Sequence, residues 1–147
     1  MKIADLLNAG DVAIGVRAAD KAQLIGELAR RGAAGTGIDA ASIATALQAR
    51  ERLGSTGLGK GFALPHARVP ALTQFFGAFE RLARPIDFQA IDEQPVDLVF
   101  LLLIPADAGN DHVSALAVIS RRLRDADVLR QARKAADVAA LHRLLVS

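Results

Sequence analysis

Seven apolar residues in a row, Leu98 to Ile104, stand between Pro95 and Pro105 with no polar position among them. A strand with one wet face alternates apolar and polar side chains. A short unbroken run bounded by prolines reads instead as a central strand covered on both faces. The run is far shorter than the roughly 20 residues needed to cross a bilayer as a helix. A chain built around such a strand must supply helices to cover it.

The remaining sequence supplies them. Asp20 predicts a helix start, with Gln23 as its capping-box partner; Leu24, Ile25, Leu28 and Ala29 recur at helical spacing, and Gly32 predicts the end. Asp39 predicts a second cap, and Ile43, Leu47 and Arg50 share one face of the helix that follows. Asn110 or Asp111 opens a helix through Arg124 whose one stripe carries His112, Leu116, Ile119 and Leu123. Shorter helices are predicted near Asp127 to Lys134 and Asp137 to Leu145, and further strands at Val12 to Val16, Phe62 to His66 and Gln74 to Phe79. Strands interleaved with helices give an α/β class, a three-layer α/β/α arrangement. Because some strands follow one another without a helix, the sheet is predicted to be mixed. The 147 residues suit a single domain over residues 1–147.

Composition removes several functions. With 52% hydrophobic and 23% charged residues the chain can bury a core and is not disordered. It has no cysteine, which excludes a disulfide scaffold, a thiolate nucleophile and a Cys-ligated zinc site. Met1 to Asp5 lacks the apolar core of a secretory signal, so the expected location is the cytoplasm, without membrane insertion. The net charge is only +2, and the densest basic cluster (Arg121, Arg122, Arg124, Arg130, Arg133 and Lys134) is interspersed with Asp125 and Asp127. That pattern reads as a solvated helix face, and nucleic acid is not an expected partner.

The chemistry concentrates between Arg50 and Ala67, where a glycine-rich loop runs into a short apolar strand that ends in Pro65-His66. Leu64 is biased to extended geometry by the proline after it, and Pro65 has no N–H to give to a ladder. His66 therefore emerges where a strand stops, with Phe62 and Leu64 on its face. Gly57, Gly59 and Gly61 clear side chains from the loop, and Ser55 and Thr56 add hydroxyls, so the loop can present donors to an anion. Arg50 and His112 are polar residues on otherwise apolar stripes, and His112 sits in a first helical turn where N–H groups favour anions. Together they predict a phosphate held on His66. Transfer between two nitrogen nucleophiles is mainly positioning and charge stabilisation, so no metal and no cofactor are expected.

Two similar patterns fail. Gly54 to Lys60 matches seven positions of a P-loop, but the eighth is Gly61, and the loop opens a strand where a P-loop opens a helix. His66, His112 and His142 lack the spacing of a helical zinc pair, and His142 reads as a surface residue.

The run from Arg50 to His66 resembles the active-site signature of the enzyme IIA domains of the bacterial phosphoenolpyruvate-dependent phosphotransferase system, fructose–mannitol class. Leu53 to Gly61, Pro85 to Phe88 and Ala90 to Leu98 are similar to the nitrogen-regulatory branch, and the likeness covers nearly the whole chain. The resemblance implies that His66 accepts phosphate through Nε2 from an HPr-like phosphocarrier protein. It implies that Arg50 lies beside His66, and that His112 is the second histidine, which assists without accepting. It implies a mixed sheet between helical layers, and regulatory target proteins that read the phosphorylation state. Val113 stands where leucine is frequent in the family and Ala67 where glycine is, both small departures. Two other readings stay open: a sugar-specific IIA component passing phosphate to a IIB domain, and a non-catalytic anion-binding module.

Overall fold

A computed structural model describes all residues, Met1 to Ser147. After a short 3-10 turn at Ile3–Asp5 come β1 (Leu7–Val16), α1 (Lys21–Thr36), α2 (Ala40–Arg52), β2 (Gly57–Gly59), β3 (Phe62–Ala63), β4 (His66–Val69), β5 (Phe76–Ile86) and β6 (Val96–Pro105). The chain closes with α3 (Asp111–Leu123), α4 (Ala126–Lys134) and α5 (Val138–Val146). The six strands form one sheet in the order β1-β5-β6-β3-β2, with β4 also paired to β6. β1 runs parallel to β5, β6 runs antiparallel to β5 and parallel to both β3 and β4, and β2 pairs antiparallel with β3. The sheet is mixed, as expected.

β6 is the apolar run, and its neighbours explain why it needs no polar position. Leu98, Phe100, Leu102 and Ile104 pack into one core with Ala115, Ile119 and Leu123 of α3, Leu129 of α4 and Leu141 and Leu145 of α5. Val99, Leu101 and Leu103 pack into a second core with Leu24 and Leu28 of α1 and Ile43 and Leu47 of α2. Helices therefore cover both faces, and the three-layer expectation holds.

The caps expected at Asp20 and Asp39 form, Asn110 opens α3 without a side-chain cap bond, and Asp125 caps α4 although the sequence had not singled it out. Asp20 accepts from Gln23 N, Asp39 from Ser42 N, Asp125 from Val128 N and Asp137 from Ala140 N. Gly32 does not end α1. The helix continues to Thr36, and Gly37 closes it in a left-handed conformation, φ 78°, with its N–H on Ala33 O. Gly32 is instead a packing contact, because a Cβ there would lie 2.9 Å from Leu103 Cδ1. His142 is half-buried rather than a surface residue, and its Nε2 lies 3.1 Å from Leu7 O, tying α5 to β1. Part of the basic face is also structural: Arg122 donates to Leu144 O at 2.7 Å, and Arg133 bridges Asp97 at 2.9 Å and Lys60 O at 2.7 Å.

Sequence reading missed Glu80, fully buried in the middle of β5 on the face that α1 covers. Burial, then the neighbouring Glu27, pushes its carboxyl up to about 8, with Arg31 offsetting part of the shift. The folded pKa is raised, so this group's support for the fold is full below its ordinary 4.5 and is lost progressively as pH rises from there to about 8. Glu80→Gln is expected to flatten the loss of stability between pH 4.5 and about 8, measured by urea denaturation across that range.

Candidate functional site

The Arg50 to Ala67 segment is more structured than a loop and a strand. β2 and β3 form a hairpin turning at Lys60 and Gly61, whose φ angles of 59° and 80° are both positive, as a two-residue primed turn requires. Gly57 allows a close approach: a Cβ would lie 2.7 Å from Ala90 Cβ and 2.9 Å from Ala90 Cα. Ile91 N donates to Gly57 O at 3.2 Å, so the Ala90-Ile91 segment lies along this hairpin.

The predicted strand Phe62 to His66 is broken. β3 pairs with Leu98 and Val99 of β6, and β4 resumes at His66 opposite Leu102, so Leu64 and Pro65 form a gap in one strand line. Pro65 has no N–H to donate, although its carbonyl accepts from Leu102 N at 3.0 Å. Leu64 N turns back to Thr56 O at 2.9 Å, and Leu64 O faces its neighbour's ring, 2.8 Å from His66 Nδ1. A carbonyl only accepts, so Nδ1 carries the proton and Nε2 keeps its lone pair. This is the tautomer a phosphoryl acceptor at Nε2 needs.

The electrostatics agree. His66 is half-buried, and its pKa lies below the ordinary 6.5, first because of burial, with the charges of Arg50 and His112 adding to the effect. The Leu64 carbonyl and Glu51 pull the other way. The ring is neutral and nucleophilic at physiological pH. Arg50 and His112, which the sequence placed on separate helices, thus act on one imidazole.

Arg50 donates from Nη1 to Gly54 O at 2.9 Å, which fixes the guanidinium against the start of the loop. His112, in the first turn of α3, has Nδ1 2.6 Å from Gly109 O and 3.0 Å from Arg68 Nη2, a carbonyl that only accepts and a guanidinium that only donates, so the two contacts ask opposite roles of one ring nitrogen. Arg68 of β4 was not singled out from sequence. It donates to Ala106 O at 3.0 Å and Gly109 O at 3.3 Å, binding the segment that carries His112 to the strand that carries His66. Its only signal in the sequence is its place two residues after His66.

Ser55 and Thr56 are placed differently from the expectation. Ser55 Oγ donates to Phe88 O at 3.1 Å and accepts from Gly57 N at 3.1 Å. Thr56 is buried, and its hydroxyl donates to the Glu51 carboxylate. Both hydroxyls are committed inside the loop, where they shape it. Neither hydroxyl is left to donate to an anion beside His66.

A family model described as "Phosphoenolpyruvate-dependent sugar phosphotransferase system, EIIA 2" matches residues 5–147. The chain belongs to the EIIA 2 family. A "Nitrogen regulatory protein" of Bradyrhizobium diazoefficiens is 44% identical over 145 residues, covering 99% of this chain and 95% of that one. The crystal structure of the nitrogen regulatory protein IIA-Ntr from Neisseria meningitidis superposes with a TM-score of 0.92 at 29% identity, covering 97% of this chain and 98% of that chain. The mannitol IIA of Escherichia coli shares the fold, with a TM-score of 0.80 at 20% identity over 95% of this chain and 98% of that chain. This EIIA chain is a component of a phosphotransferase system, with the mixed α/β fold of its relatives. No helix in it is long and apolar enough to cross a membrane.

A lowered folded pKa means that His66 supports the fold fully above pH of about 6.5 and loses that support as pH falls through its folded value. An imidazole titration followed by NMR is expected to place the His66 midpoint below 6.5. His66→Ala is expected to lose the corresponding acid limb of the stability curve.

Proposed function

We propose that this EIIA is a phosphohistidine carrier of the nitrogen-regulatory type. Its His66 accepts a phosphoryl group from an HPr-like phosphocarrier, and its targets read the presence or absence of that group. The observation that carries the proposal is the 2.8 Å contact between His66 Nδ1 and Leu64 O, which leaves Nε2 bare and aimed away from the break in the strand.

The step is an in-line displacement. The Nε2 lone pair forms the new N–P bond while the N–P bond on the donor imidazole breaks, and its electron pair stays on the donor nitrogen. No proton has to leave His66 first, because Nε2 carries none. Arg50 and His112 offset the charge on the phosphoryl oxygens, where charge-assisted donors are strongest. The product adds about −1.5 to −2 charges to this face, enough to exchange one docking partner for another.

Exposed apolar side chains fit a protein donor. Leu53 is 84% exposed and Ile91 75%, with Leu58 and Val113 also exposed. Leu53 closes the helix that bears Arg50, Leu58 and Ile91 lie along the hairpin, and Val113 follows His112. A sugar-specific IIA would use the same residues. The nitrogen-regulatory reading is supported by the 44% identity to the Bradyrhizobium protein over 95% of its length.

Incubation with phosphoenolpyruvate, enzyme I and an HPr-like carrier is expected to add one acid-labile phosphoryl group, seen by intact mass. The addition should vanish in His66→Ala and persist in His142→Ala; labelling retained in His66→Ala would refute the proposal. Arg50→Ala should slow transfer on the order of 100-fold, in line with removal of a preorganised donor. Transfer onward to a IIB domain would favour the sugar-specific reading.

A further inference from the structure

Glu51 is next to Arg50, yet its side chain is only 8% exposed. The Oε1 atom accepts from Lys21 Nζ at 2.9 Å and from Thr56 N at 3.1 Å, and Oε2 accepts the Thr56 hydroxyl. Lys21 in turn lies 4.4 Å from the centroid of the Phe88 ring. One carboxylate therefore holds the Thr56 residue by both its peptide N–H and its side chain, and is itself neutralised from α1.

What Thr56 does next makes this more than a loop staple. Its carbonyl accepts from Leu64 N at 2.9 Å, and the Leu64 carbonyl accepts from His66 Nδ1 at 2.8 Å. The contacts run in series from the Glu51 carboxylate through residues Thr56 and Leu64 to the imidazole, each residue making one contact with its N–H and the next with its carbonyl, on adjacent peptide units. The gap at Leu64-Pro65 leaves the Leu64 N–H and carbonyl without a strand partner, with β6 holding the backbone only from Pro65 O onward, through Leu102 N at 3.0 Å. On the amino-terminal side of that carbonyl, the hydrogen bond from Leu64 N to Thr56 O holds the backbone.

We propose that Glu51 is a positioning residue for the reaction at His66: by clamping Thr56 it orients the Leu64 carbonyl and thereby selects the imidazole tautomer with Nε2 unprotonated. Glu51 makes no hydrogen bond to the ring; besides the charge by which it raises the ring's pKa, it acts through the backbone of Thr56 and Leu64. The inference rests on the phosphocarrier reading for its catalytic meaning, but its structural content is independent of any phosphoryl donor. Residues that hold an imidazole in one tautomer through a chain of hydrogen bonds act on reactivity without taking part in bond making.

The test is the 15N chemical shifts of both His66 ring nitrogens in the full-length protein, at a pH above the His66 midpoint. The wild type should show a protonated Nδ1 and a bare Nε2. Glu51→Ala should move both shifts toward the average of a free, exchanging imidazole. Glu51→Gln keeps one acceptor oxygen and should give an intermediate shift. Lys21→Met removes the neutralising cation but not the clamp, and should leave the tautomer in place.

In the phosphorylation assay Glu51→Ala should lower the rate on the order of 100-fold, the scale of a small misplacement of the reacting atom. Glu51→Gln should recover part of that loss. If Glu51→Ala fails to fold, Thr56→Val decides the matter: it removes the hydroxyl tie alone and should still shift the tautomer, by less. A folded Glu51→Ala or Thr56→Val whose His66 shifts match the wild type overturns the inference. A wild type that shows the expected tautomer but takes no phosphate overturns the phosphocarrier reading and leaves this inference standing.

Discussion

The active face depends on a missing N–H. Pro65 cannot donate to the ladder, so the strand line beside β6 breaks between Ala63 and His66. The break leaves the Leu64 carbonyl free of any strand partner and able to accept from the ring two residues on, at 2.8 Å. Buried carbonyls are almost always paired, so the ring satisfies the carbonyl as much as the carbonyl orients the ring. A continuous strand would have given that carbonyl to a neighbouring strand and left the imidazole tautomer unbiased.

The sheet makes such a break tolerable. β6 carries the ladder past the gap: Leu102 N reaches Pro65 O at 3.0 Å, and β4 resumes opposite Leu102 in the same register. Both faces of β6 are packed by helices, so its position does not depend on the pairing lost at Leu64 and Pro65. The site therefore sits on a rigid strand and borrows its irregularity from a neighbour. This matches the general pattern in which functional groups lie at interruptions of a stable scaffold.

The charge pattern around His66 is balanced rather than simply cationic. Arg50 and His112 favour the neutral ring before transfer, and Glu51 with the Leu64 carbonyl opposes them. Burial has the largest influence. A half-buried ring stays neutral and nucleophilic, yet is open enough for another protein to reach it. Leu53 and Ile91 leave apolar surface exposed, the kind of feature that fits the proposed protein donor.

The sequence by itself determined the layers and the caps at Asp20 and Asp39, and it singled out His66 as the candidate acceptor. An apolar run too short for a helix and bounded by prolines reads as a doubly covered strand, Asp before a helical repeat reads as a cap, and Pro-His after a glycine-rich stretch draws attention to the histidine. Arg50 and His112 were also legible, because a charged or polar residue on an apolar stripe calls for a partner. Tertiary structure decided what local pattern could not carry. Gly32 read as a helix end because a glycine's packing role depends on Leu103, 71 residues away in the chain. The hydroxyls of Ser55 and Thr56 read as phosphate donors because nothing local shows that Phe88 and Glu51 claim them first. Glu80, Arg68 and His142 were missed for the same reason: each gains its meaning from an element distant in sequence, and a hydrogen bond or a desolvation cost exists only once the chain has folded to bring the two together.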